Sequence, residues 1–190
     1  MSAEVYAVMG GDVAMRAADE LADVYREAFA GAPHHEPPEA AVRFRESLAG
    51  HAALPGFRVA AAWAPGADLV GFGYGHTSLP GQWWHDRVVD ALPPDVAARW
   101  LDEPFVVVNL AVRPRRRREG IGSRLHDLLL ETVPHRSAVL SARRDDAAAL
   151  RLYHGRGWQE IGRDLAVVPG GGPSVILGHQ LAGHPGISLE

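Results

Sequence analysis

One stretch of the chain, residues 109–123, combines a strand end, a short turn and two glycines in a way that suits phosphate chemistry. The apolar run 105–112 ends, a turn follows, and a helix begins where Gly120 and Gly122 are spaced as G-x-G. The first turn of a helix has unpaired N–H groups and the positive end of the helix dipole. Glycines let a ligand approach the backbone because no Cβ lies in the way. The segment therefore predicts a diphosphate site, to which the arginine-rich residues 113–118 add positive charge.

Two other phosphate-binding motifs are excluded by the residues around these glycines. A P-loop needs a lysine directly after its second glycine, and here Ser123 follows Gly122. A dinucleotide fingerprint needs a third glycine three positions after the second, and that position is Leu125. What remains is R-x-x-G-x-G on a strand-to-helix turn, formed by Arg117, Gly120 and Gly122.

This motif resembles the CoA-binding motif of the GNAT superfamily of N-acetyltransferases, written Q/R-x-x-G-x-G/A. Residues 146–158 look like a second motif of that family, N-x-x-A-x-x-L-Y-x-x-x-G-F. Four positions agree with it, namely Ala149, Leu152, Tyr153 and Gly157. Asp146 replaces the asparagine, and Trp158 replaces the phenylalanine. The resemblance is close over residues 105–165 and extends to 4–76 only through the order of elements.

The resemblance implies a fold, a donor and a reaction. The fold is α/β, with a mixed, splayed central sheet flanked by helices, of the acyl-CoA N-acyltransferase type. The donor is acetyl-CoA, and the reaction is direct attack by a primary amine in a ternary complex. A direct attack needs no covalent enzyme intermediate, which agrees with the absence of cysteine. The acceptor is a small-molecule or peptide amine, and homodimers are frequent among such proteins.

The resemblance also implies roles for particular residues. The splayed strand pairs with pantetheine through Leu110, Ala111 and Val112, and a backbone N–H there stabilises the oxyanion. Backbone amides after the strand hold the pyrophosphate; the cofactor-binding residues of this turn are Arg117, Arg118, Gly120, Ile121, Gly122 and Ser123. Asp146 contacts the pantetheine arm, although a carboxylate cannot donate as an amide would. Tyr153 protonates the departing thiolate; the other interpretation is a core tyrosine with a satisfied hydroxyl.

The general base is not identified by the sequence. An alkylammonium with a pKa of about 10 must lose a proton before it attacks. The apolar run contains no glutamate, so the candidates are His76, His85, Glu103 and a water chain that ends at Asn109. Each histidine also has the simpler interpretation of an ordinary polar residue.

The acceptor pocket is predicted from three segments: a proline-bounded loop that contains His34, a segment that contains Trp83 and Trp84, and the final hairpin. The two tryptophans provide a floor for an aromatic or cationic acceptor, or they pin neighbouring helices to the core. His34 and His35 are adjacent, without a spaced third ligand, so no metal is expected.

The arginine run 113–118 has a further interpretation as a nucleic-acid contact. The net charge of −4 and the lack of interleaved aromatic residues favour a solvated turn beside bound phosphates, so no nucleic-acid partner is expected. Another alternative is a domain that binds CoA for regulation without turnover.

Hydrophobic periodicity predicts the elements that position these residues. Alternation predicts strands, spacing of three and four predicts helices, and the run 105–112 predicts a strand buried on both faces. The resulting order is β-α-α-β-β-β-α-β-α-β-β, with an inserted segment at about 80–103 that carries two further helical pieces. Gly71, Gly73 and Gly75 share one face of a strand, where another element must approach the backbone.

Length and composition indicate one soluble domain over residues 1–190. The absence of cysteine excludes disulfides, thiolate metal sites and a cysteine nucleophile. The N-terminus does not resemble a secretory signal, and no apolar stretch approaches the roughly 20 residues that cross a bilayer. A cytoplasmic protein without membrane contact is therefore expected.

Overall fold

A computed structural model describes residues 4–167 and 172–181 of the chain, which form seven strands and seven α-helices within these ranges. The strands are β1 Val5–Met9, β2 Arg58–Trp63, β3 Leu69–Thr77, β4 Phe105–Val112, β5 Ser137–Arg143, β6 Gln159–Leu165 and β7 Ser174–Gln180. The helices are α1 Gly11–Arg16, α2 Ala18–Phe29, α3 Ala40–Ala52, α4 Trp83–Ala91, α5 Pro94–Trp100, α6 Ile121–Leu130 and α7 Ala147–His154, with a 3-10 helix at Pro114–Arg116.

The hydrogen-bonded strand order is β1-β2-β3-β4-β5-β7-β6. β4 and β5 are parallel, whereas β1 with β2, β2 with β3, β5 with β7 and β6 with β7 are antiparallel. The sheet is therefore mixed, and with helices around it the predicted α/β class is confirmed. The chain divides into two compact units, of residues up to 76 with 107–132, and of residues 77–106 with those from 133 onward. β4 contributes residues to both units, and the prediction of a single domain stays a prediction.

In the first unit, α1, α2 and α3 share a core with β2 and β3. Leu21 and Val24 of α2 and Leu48 of α3 are fully buried, as the helical spacing of the apolar residues requires. Phe72 and Tyr74 of β3 join the same cluster. The short helix α1 was not predicted, because Gly10 and Gly11 favour a turn.

The glycine-bearing face of β3 is closely covered, as predicted. A Cβ on Gly71 would lie 3.0 Å from the carbonyl oxygen of Ala111 and 3.0 Å from Leu125 Cδ1. A Cβ on Gly73 would lie 2.9 Å from Leu110 Cδ1. β4 and α6 therefore lie so close to β3 that a side chain at Gly71 or Gly73 would require its neighbours to shift, and this contact helps to position α6.

In the second unit, the inserted segment forms α4 and α5, as predicted. Trp100 of α5 lies on β7, because a Cβ on Gly178 would be only 2.6 Å from its ring. The serine hydroxyl of Ser137 donates to the carbonyl oxygen of Trp100 at 3.2 Å. β6 and β7 form the predicted hairpin, although β6 ends at Leu165 and most of the predicted turn, residues 169–171, lies outside the described residues.

None of the helices within residues 4–167 and 172–181 has the length and apolar character needed to cross a membrane.

A half-buried histidine of the first unit, His51, predicts a pH dependence of stability. The pKa of His51 is lowered from 6.5 to about 4, chiefly by burial and further by His76, whose ring centroid is 4.9 Å away. His51 Nδ1 bonds the hydroxyl of Tyr74 at 3.1 Å. Since the unfolded chain binds this proton more readily, full stability is present above pH 6.5 and falls as the pH drops from 6.5 towards 4.

The variant His51→Asn keeps a hydrogen-bonding group near Tyr74 but removes the titration. The free energy of unfolding of the native protein should fall by about 1–3 kcal/mol between pH 6.5 and 4 through this group, and the variant should lose that part of the slope. Urea unfolding at several pH values measures it. His35→Asn, on an exposed histidine, is the control; an unchanged slope in His51→Asn would contradict the assignment.

Candidate functional site

The exit of β4 is fixed to its neighbours by the side chain and backbone of Arg113. The Arg113 amide donates to Val70 O at 2.9 Å, and its Nε donates to Leu69 O at 2.8 Å. The guanidinium also forms an ion pair with Glu27 of α2. Arg113 therefore joins the end of β4 to both β3 and α2.

Two further arginines of the basic run hold the turn in shape. Arg116 donates to Glu4 Oε1 at 2.6 Å and to Glu119 Oε2 at 2.9 Å. Arg117 Nη2 donates to the carbonyl oxygen of Ala28 at 2.6 Å, and its Nε donates to that of Val112 at 3.3 Å. The side chain of Arg117, predicted to border the phosphate site, is thus used to support the loop.

The N-terminus of α6 has no side-chain cap. Its N-cap residue is Gly120 in the left-handed conformation, with φ of 81°, and no side chain caps the helix there. The amides of Ile121, Gly122 and Ser123 lack an intrahelical acceptor, since the first such bond runs from Arg124 to Gly120 O at 3.0 Å. These amides and the helix dipole suit an anion.

The remaining arginines of the run are available to a ligand. In the part of the chain that the structure describes, no hydrogen bond or ion pair engages Arg115 or Arg118, and both are exposed. Arg118 stands two residues before Gly120 with a positive φ of 68°. The two arginines that could contact a ligand at the N-terminus of α6 are therefore different from the three that hold the turn.

β4 changes its burial along its length. Phe105, Val106 and Val107 are buried, whereas the next three residues and Val112 are half-buried; only Ala111 in that half is buried, with 2% of its surface exposed. The prediction of a strand buried on both faces is therefore wrong for its second half. That half contains Leu110, Ala111 and Val112, which are predicted to pair with pantetheine, and Asn109, which is a candidate for the end of the base water chain.

In the second unit, Tyr153 lies at the end of α7 and is 7% exposed. Its ring meets that of Trp158 edge to face at 5.4 Å. Burial, and next the charge of Asp146, raises the pKa of Tyr153 above its ordinary value. Asp146 is the N-cap of α7, and its Oδ1 accepts from the Ala149 amide at 3.0 Å. The predicted pantetheine contact of Asp146 would use a carboxylate that already caps a helix.

The base candidates lie in different surroundings. His76 is 6% exposed beside His51, on the face of β3 opposite to the glycines. His85 is 4% exposed, its Nδ1 lies 3.0 Å from the Ser78 hydroxyl, and burial lowers its pKa. Glu103 is exposed, and Asn109 is half-buried on β4. The burial of both histidines makes them poorer candidates than the other two.

The predicted acceptor residues include one that has a clear structural role. Trp84 Nε1 donates to Ser141 Oγ of β5 at 3.3 Å, so Trp84 pins α4 to the sheet. Trp83 is 52% exposed, with the guanidinium of Arg87 at 5.3 Å from its ring centre. His34 is half-buried and meets Phe29 edge to face at 4.7 Å. The Ser141 contact was missed because nothing near either residue in the sequence signals it.

Comparison with known proteins identifies relatives of this chain. A family model described as the acetyltransferase (GNAT) family matches residues 18–158. The GCN5-like protein acetyltransferase Rv2170 of Mycobacterium tuberculosis is 31% identical over 127 residues, which are 63% of this chain and 55% of that protein. The chain therefore spans little more than half the length of this curated relative.

Solved structures share the fold at low sequence identity. The ribosomal-protein-S18-alanine N-acetyltransferase of Escherichia coli has a TM-score of 0.61 at 16% identity, covering 99% of each chain. The PaiA N-acetyltransferase of Thermoplasma acidophilum, in complex with coenzyme A, has a TM-score of 0.63 at 13% identity, covering 94% of this chain and 99% of that one.

The two neighbouring arginines of the turn should respond differently to truncation. Arg117→Ala removes hydrogen bonds to two backbone carbonyls, so we expect the free energy of unfolding to fall by about 1 kcal/mol. Arg118→Ala, which removes an unengaged side chain, should change it by less than about 0.5 kcal/mol. Urea unfolding of both variants measures the contrast, and equal losses would show that Arg117 has no special role in the turn.

Proposed function

The chain belongs to the GNAT acetyltransferase family, and on that premise we propose that it transfers an acetyl group from acetyl-CoA to a primary amine. The reaction is direct attack in a ternary complex. The observation that carries the proposal is the N-terminus of α6, whose N-cap residue is Gly120, which no side chain caps and which follows an arginine-rich turn. The solved PaiA relative in complex with coenzyme A supports CoA as the carrier.

The pyrophosphate of the donor would lie against the amides of Ile121, Gly122 and Ser123. These groups are unpaired within the helix, and the dipole of α6 favours a negative group there. Arg115 and Arg118 are the arginines of the run that are free to add charge-assisted hydrogen bonds. Because Arg113, Arg116 and Arg117 hold the turn, the proposed phosphate-binding turn has its shape before the donor binds.

The pantetheine arm and the thioester would follow the second half of β4. Leu110 and Val112 are half-buried, which supports a strand that is accessible to a ligand from Val108 onward. A backbone N–H at Leu110 or Ala111 then stabilises the negative charge that develops on the thioester oxygen. Positioning of amine and carbonyl contributes much of the rate, on the order of 7–11 kcal/mol in favourable cases.

The chemical step forms a bond from the amine nitrogen to the carbonyl carbon and breaks the carbon–sulfur bond. The thiolate leaves and takes a proton from the Tyr153 phenol, while the nitrogen loses its extra proton to a base. The Tyr153 phenol is protonated at neutral pH and can supply this proton, although burial raises its pKa and so makes it a weaker acid than an exposed tyrosine. For the base we propose a water chain that ends at Asn109, or Glu103, since His76 and His85 are buried.

A domain that binds CoA without turnover is the principal alternative, and a nucleic-acid contact is the other. The second has less support because three of the five arginines in residues 113–118 are engaged within the fold. An assay with acetyl-CoA and a panel of amines tests the alternative without turnover. Release of the CoA thiol in the presence of an amine supports acetyl transfer. CoA binding without thiol release, whichever amine is present, supports a regulatory domain.

The variant Gly122→Glu tests the diphosphate site. A carboxylate at this position repels phosphates and fills the space that glycine leaves, so CoA binding should fall below detection in calorimetry. The fold should persist, because an acidic residue in the first turn of a helix is favourable. Gly50→Glu is the matched control, since no atom lies within 4 Å of a Cβ at that exposed helical position. Normal titration of Gly122→Glu would refute the placement.

The variant Tyr153→Phe tests the proton donor. The ring keeps its contact with Trp158, and only the hydroxyl is lost, so kcat should fall about a hundredfold or more while CoA affinity changes little. Tyr74→Phe is the control. Tyr74 is 1% exposed and its hydroxyl bonds His51, so the kcat of this variant should be unchanged. Unaltered turnover in Tyr153→Phe would remove the acid role.

A further inference from the structure

An open groove of about 630 Å³ lies between α4 and α5, in the segment inserted between β3 and β4. Leu92, Ala97 and Leu101 form its apolar floor, and each is 6–7% exposed. Val89 lines a wall, and two carboxylates, Asp90 and Asp102, stand at the edge. The groove thus combines an apolar floor with an acidic rim.

The floor is rigidly attached to the second unit, so the groove exists without a ligand. Leu92 lies directly over β6, since a Cβ on Gly162 would be 2.6 Å from Leu92 Cδ2. Trp100, at the other end of α5, packs in the same way on Gly178. Leu92 and Pro93 join the two helices, Pro94 begins α5, and each proline has its φ fixed by its ring.

The acidic rim is not neutralised by the protein. Within the described residues, no hydrogen bond or ion pair engages Asp90 or Asp102. The two arginines of these helices are directed elsewhere: Arg87 donates to Ala166 O at 3.0 Å, and Arg99 lies 5.4 Å from the ring centre of Trp100. Asp90 is in the last turn of α4 and Asp102 follows α5, where the helix dipole disfavours a negative charge.

We propose that this groove docks a polypeptide segment whose apolar side chains are flanked by lysine or arginine. The floor buries the apolar side chains, and the two carboxylates, which lack partners of their own, pair with the basic ones. A helix of seven residues, such as α5, is about 10 Å long. An extended peptide covers about 10 Å in three residues. Two basic residues separated by two apolar ones therefore span about the length of α5, one face of which lines the groove.

The probe is the capped peptide acetyl-Gly-Lys-Leu-Leu-Lys-Gly-amide, titrated into the full chain by calorimetry without CoA. Two partner peptides replace both lysines by glutamate or both leucines by serine. The lysine–leucine peptide should bind, and each replacement should weaken binding by about tenfold or more. Because neither CoA nor turnover is involved, the result is separate from that of the proposed acetyl transfer, and CoA binding by the same samples verifies the fold.

The double variant Asp90→Asn with Asp102→Asn should bind the lysine–leucine peptide about fivefold to tenfold more weakly than the native chain does. Asp95→Asn is the matched control, because Asp95 lies on α5 and is exposed but does not line the groove. Ala98→Arg, which places a cation in the groove, should also reduce binding.

Three results would overturn the proposal: no binding at millimolar peptide, equal binding of the glutamate peptide, or an equal loss in Asp95→Asn. Light scattering measures self-association of the chain. If the chain self-associates and Ala98→Arg abolishes this, a second copy occupies the groove and not a basic segment.

Discussion

The structure around the proposed site depends on the hydrogen bonds and ion pairs of three arginines. Arg113, Arg116 and Arg117 connect one short turn to β3, to α2, to Glu4 before β1 and to the end of β4. A helix N-terminus attracts anions only where its amides stay unpaired and in place. These side chains hold the turn that precedes α6, so the position of its amides is fixed by contacts outside the helix.

The division of roles among the arginines explains how five of them can lie beside the proposed phosphate site in a chain that is not basic overall. Arg113 and Arg116 form ion pairs with carboxylates of the first unit, whereas Arg117 donates to carbonyl oxygens and keeps its charge. Arg115 and Arg118 face solvent. The local excess of charge is therefore smaller than the sequence letters indicate, which is consistent with the overall net charge of −4.

Local patterns allowed much of the fold to be predicted from the sequence. The bounds of β4 and the start of α6 followed from an apolar run and from glycine spacing, and the family resemblance found in those residues is confirmed by the match over residues 18–158. Contacts between distant positions left no such pattern. Arg113 and Glu27 are 86 residues apart, and Arg117 and Ala28 are 89 apart. No sequence pattern links these positions, so the contacts that support the turn could be identified only in the structure.

The close approach of β3 to β4 and α6 limits how this domain can vary. At Gly71 a Cβ would lie 3.0 Å from a backbone oxygen, and at Gly73 it would lie 2.9 Å from a leucine methyl group, so a larger residue at either position requires its neighbours to shift. The arginine turn is constrained in length instead: each guanidinium reaches a different element, and one inserted residue would move all three away from their partners. The turn before α6 is therefore an unsuitable place for a loop graft or a tag.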